Sequence, residues 1–69
     1  MEPRERIRKL LVLGDNRLKH GDAALLGKAR ESYEEALALA RAAGLEGQVA
    51  PLVELRLAEL ERLSRRPSA

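Results

Sequence analysis

The chain contains no cysteine, tryptophan or phenylalanine, and a single tyrosine is its whole aromatic complement. Neither a disulfide framework nor a thiolate metal site is open to it, so the usual staples of a small domain are missing. Its core has to be built from leucine, alanine, valine and one isoleucine, which favours helices. An excess of charge of one sign is missing too. Thirteen Lys and Arg interleave with 11 Asp and Glu for a net charge of +2, which implies no strong nucleic-acid field. No apolar run approaches the roughly 20 residues of a membrane span. Met1-Glu2-Pro3-Arg4 also opens without the apolar core of a signal peptide. A cytoplasmic protein without membrane association is expected, and the missing cysteines fit a reducing compartment. Sixty-nine residues make one domain. A chain so short hides only about 60% of its unfolded surface, so self-association is the expected substitute for the missing staples.

Three helical segments are present, expected at about 3–20, 22–43 and 47–65, in one helical domain over 1–66 followed by a frayed tail at 67–69. Pro3 suits a first helical turn, where its missing N–H has no partner to lose. Ile7, Leu10, Leu11, Gly14 and Leu18 recur at three- and four-residue steps and make one apolar stripe. Leu13 lies at its margin and Val12 points away. Lys19 and His20 complement the helix C-terminus, Gly21 can close it, and Asp22 can cap the next helix. Leu25, Leu26, Ala29, Tyr33, Ala36, Leu37, Ala40 and Ala43 form the second stripe. On its other side Ala24, Ala38 and Ala42 make a small-residue track that would let another helix approach. Gly44 then closes this helix, with Leu45 placed for the accompanying apolar contact. Pro51, comfortable only in a first turn, sets the third helix to begin near Gly47 or Gln48. Val49, Leu52, Val53, Leu55, Leu57, Leu60 and Leu63 cover an arc of roughly 200°, wider than one hairpin requires.

Leu13-Gly14, Gly21-Asp22 and the series Ala29, Tyr33, Ala36 resemble the signature of the tetratricopeptide repeat, a paired-helix unit of about 34 residues. The resemblance spans roughly Leu10 to Leu39. It implies an all-α fold, a helical hairpin whose third helix acts as the cap of such arrays, and a protein–protein interaction role. Departures are Leu10 for the early aromatic, Arg17 for the tyrosine after the glycine and Arg41 for the closing proline. Ala29 lies about three residues late, as an insertion within Ala23 to Lys28 would make it. The family's carboxylate-clamping positions fall on Leu11 and Asp15, so capture of a C-terminal carboxylate is not implied. The face that matches the family's groove carries Arg8, Leu11, Asp15 and Leu18, and these are the residues expected to meet a partner protein or peptide.

Gly14 on an apolar face costs about 1 kcal/mol relative to alanine unless close packing recovers it, and Tyr33 is the expected neighbour, with Ala29 and Ala36 in the same contact. The surplus leucine arc assigns Val53, Leu55, Leu57, Leu60 and Leu63 to a homo-oligomer interface, most simply a dimer. No catalytic grouping is legible: the carboxylates stand without a nucleophile, Ser32 has no histidine partner, and His20 has no second ligand for a metal. No glycine-rich phosphate loop exists, so no cofactor is expected. The alternative reading is a small basic nucleic-acid-binding protein using Arg4, Arg6, Arg8, Lys9, Arg62, Arg65 and Arg66. No aromatic platform accompanies them, and interspersed glutamates dilute their charge.

Overall fold

A computed structural model describes residues 2–20 and 23–65. Within them the fold is all-α, with helices α1 (Pro3–His20), α2 (Ala23–Ala42) and α3 (Glu46–Ser64) and no strand. Gly21, Asp22 and the tail at 67–69, read above as a helix stop, a cap and a frayed end, lie outside the described residues. The arrangement is a three-helix bundle compatible with a helical-repeat pairing.

The middle helix holds the other two. α2 packs extensively on α1 and on α3, while α1 and α3 touch each other only briefly. The molecule is correspondingly flattened and elongated, 43 × 20 × 12 Å. Its core draws on all three helices: Ile7 and Leu11 from α1, Leu26, Ala29, Tyr33, Ala36 and Ala40 from α2, and Val49, Val53 and Leu60 from α3. Small residues on α2 let α1 come close. The ring of Tyr33, fully enclosed, fills the space over Gly14 so tightly that a Cβ there would stand 2.5 Å from Tyr33 Cε1. Ser32 is also buried, although it lay outside the apolar stripe read from the sequence. It donates to the Lys28 carbonyl at 3.2 Å and accepts from Arg17 Nη1 at 2.9 Å, so its hydroxyl is satisfied inside.

The α2–α3 corner follows from one glycine. Gly44 takes φ +74°, its N–H donates to the Arg41 carbonyl at 3.3 Å, and Leu45 N–H donates to the Ala40 carbonyl at 2.7 Å. This is a Schellman closure, in which two carbonyls at the helix end gain partners while Leu45 folds back onto the core. α3 then starts at Glu46, ahead of the Gly47 or Gln48 expected, because the Leu45 carbonyl already accepts from Gln48 and Val49. Pro51 consequently stands beyond the first turn, inside the helix. The position is tolerated because Pro51 and Gly47 are both exposed, and water can reach the carbonyl that the missing N–H leaves open.

The surplus leucine arc divides on α3. Val53 and Leu60 are enclosed by the chain's own helices, at 0% and 2% exposure, which removes them from the proposed interface between copies. Leu57 and Leu63 lean on the core and are half-buried. Leu55, two residues from Leu57 and so nearly opposite it on the helix, stands 72% exposed. Ala24, Ala38 and Ala42 are exposed, so no helix among the described residues covers the small-residue track.

Candidate functional site

Because α2 carries both outer helices and these barely meet, an open cleft runs between α1 and α3. One ion pair spans it. Arg56 on α3 reaches Asp15 on α1 with both ends of its fork, Nε to Oδ1 at 2.9 Å and Nη2 to Oδ2 at 3.3 Å. Its third nitrogen, Nη1, donates to the Leu52 carbonyl at 3.1 Å and fixes the guanidinium on its own helix. From below, the Tyr33 hydroxyl donates to the same Asp15 Oδ1 at 2.6 Å. One carboxylate thus ties together three helices. Burial first, then the hydrogen bond to Asp15 and its charge, push the Tyr33 phenol well above its ordinary range, while Arg56 opposes the shift. The phenol therefore stays protonated and donating at any physiological pH.

The clasp separates two parts of the cleft. Toward the start of α1 and α3 lies a slot of about 250 Å³ lined by Ile7, Leu11, Val49 and Leu52 with Arg4 and Arg8 at its edge. Toward the other end, Leu18, Leu55 and Glu59 flank the clasp, and the surface continues past Lys19, His20 and Leu63. Of the residues assigned to partner contact from the sequence, Arg8 and Leu11 line the first part, Asp15 and Leu18 the second. Leu11 is 8% exposed, and the Asp15 carboxylate is engaged inside the chain, so neither is a free contact residue. Gly14, Ala29, Tyr33 and Ala36 are buried in the chain's own interior. A second, outer groove on α1 is lined by Glu5, Arg8, Lys9 and Asn16, with Val12 and Leu13 half exposed in it.

Arg56 went unnoticed in the sequence. Its signal was its spacing: with Val49, Val53 and Leu60 it makes steps of four, three and four, so a cation occupies an apolar-stripe position. Among the described residues no group of three or more His, Cys, Asp or Glu side chains could hold a metal ion, and no helix is long and apolar enough to cross a membrane. Comparison with protein-family models, with curated proteins and with solved structures returned no match.

Proposed function

We propose that the chain is a non-catalytic protein–protein interaction module of the cytoplasm, similar in its helix pairing to a tetratricopeptide repeat with a capping helix, and that it pairs with a second copy of itself. The observation that carries this reading is Leu55, 72% exposed on the wall of the α1–α3 cleft, with the half-buried Leu18 facing it from α1. Large apolar side chains collected beside an open cleft mark an association surface, where single scattered ones would not. Two of the cations on which the nucleic-acid alternative rests, Arg6 and Arg62, are each held in an ion pair, and the glutamates interspersed among them favour a protein partner.

Sedimentation equilibrium at high micromolar concentration tests the pairing. A dimeric mass that becomes monomeric in Leu55→Glu is expected, since a carboxylate placed in an apolar contact is costly to bury. A monomer at that concentration would falsify the self-association. Leu55 is the informative position because Leu57 leans on the core, where a charge would unfold the chain as well.

A further inference from the structure

Arg4 and Arg8 differ from Arg56, the other arginine bordering the cleft. They stand one turn apart on the same face of α1, both exposed, and neither forms an ion pair or hydrogen bond among the described residues. Between them and α3 lies the slot walled by Ile7, Leu11, Val49 and Leu52, lined by no carboxylate. Of the acids near it, Glu46 is held by Arg41 at 2.6 Å, while Glu5, which shares the outer groove of α1 with Arg8, and Glu2 form no ion pair with either arginine among the described residues. α1 and α3 also both begin at this end, so two helix dipoles add positive potential to the two guanidinium groups.

We propose that this slot is a docking site for an acidic amphipathic segment of a partner protein, one leucine-sized side chain entering between α1 and α3 and flanking carboxylates meeting Arg4 and Arg8. The inference rests on the reading of the cleft as an interaction surface and adds the chemistry of the partner. A guanidinium presents a planar fork that accepts a carboxylate through two parallel hydrogen bonds. An unpaired pair of such forks beside an apolar recess is complementary in charge and in polarity to alternating glutamate and leucine. The Asp15–Arg56 clasp closes the recess on the side of Leu55, so the acidic segment and a second copy of the chain address separate halves of the cleft.

The probe is a short fluorescein-labelled helical peptide with leucine at every third and fourth position and glutamate between, titrated by anisotropy against the full chain. Two control peptides carry lysine for glutamate and alanine for leucine. Saturable binding of the acidic peptide, weakened at least tenfold by Arg4→Glu with Arg8→Glu, by Leu52→Ala and by either control sequence, is the expected result. The arginine substitutions fall on exposed, unpaired side chains, and circular dichroism checks that the variant keeps its helices. Equal binding of the lysine peptide, or no saturation by the acidic one up to about 1 mM, overturns the proposal. The native mass of the double arginine variant separates this failure from failure of self-association. A dimer that persists while the peptide fails leaves the interaction reading standing without the acidic partner. A double variant that turns monomeric assigns the slot to the second copy, and the acidic partner is then overturned.

Discussion

At the scale of single residues, Gly14 and Tyr33 set the distance between α1 and α2. A methyl group at Gly14 would meet the enclosed Tyr33 ring at 2.5 Å, and the ring is pinned at its far end by the hydrogen bond to Asp15. Overpacking of this kind costs about 1–3 kcal/mol, more than the roughly 1 kcal/mol that alanine gains over glycine in a helix. Gly14→Ala is therefore expected to lower the thermal midpoint by several degrees. Gly27, with nothing within 4 Å of an added Cβ, is the matched control, and Gly27→Ala is expected to raise it. Thermal melts of the two variants in parallel check the pair of opposite signs. Tyr33 also supplies an alkaline limit. Its folded-state pKa is raised, so above pH about 10 the unfolded chain releases a proton that the folded chain retains. Stability then falls as pH rises, by up to about 1.4 kcal/mol per pH unit, and is unaffected by this group below that window. Urea midpoints measured from neutral to strongly alkaline pH are expected to decline more steeply for the native chain than for Tyr33→Phe. Parallel curves would remove the phenol as the cause.

At the scale of elements, α3 contains a proline that the helix would do better without. Pro51 leaves one carbonyl unbonded inside the helix, and a proline there is less favourable than alanine by up to about 3 kcal/mol. Part of that is offset because proline also restricts the unfolded chain, so Pro51→Ala is expected to stabilise by about 1–2 kcal/mol, read as a higher urea midpoint at unchanged slope. The same helix shows what a sequence conveys and what it does not. The Gly44-Leu45 closure was legible because a left-handed residue followed by an apolar one has few other uses. The start of α3 falls at Glu46, one residue ahead of Gly47, and the exposed Pro51 is tolerated beyond the first turn. The apolar arc of α3 was legible as an arc, yet periodicity alone does not say which part faces inward. Packing against α2 decided that Val53 and Leu60 are interior and Leu55 is not. The clasp of Asp15 and Arg56 was least legible of all, since it joins the first helix to the third and each charge taken alone reads as a solvated face.

For the molecule as a whole, the flattened shape follows from α2 lying between two helices that hardly touch, and it is this shape that leaves the cleft open. A chain with so little interior has a small reserve of stability, and any partner that binds only the folded form adds to it by mass action. If a second copy is that partner, the thermal midpoint of the chain depends on its own concentration. The midpoint is expected to rise by several degrees between low and high micromolar protein, because each tenfold rise in concentration above the dissociation constant adds about 1.4 kcal/mol to be shared by the pair. Leu55→Glu separates this association from folding. Leu55 is mostly exposed in the single chain, so the substitution is expected to leave the midpoint at high dilution nearly unchanged and to abolish its rise with concentration. Differential scanning calorimetry over a dilution series of both proteins measures the two slopes. A midpoint independent of concentration in the native chain would mean that the three helices hold together without a second copy, and that the exposed leucines on the cleft wall are available to other partners alone.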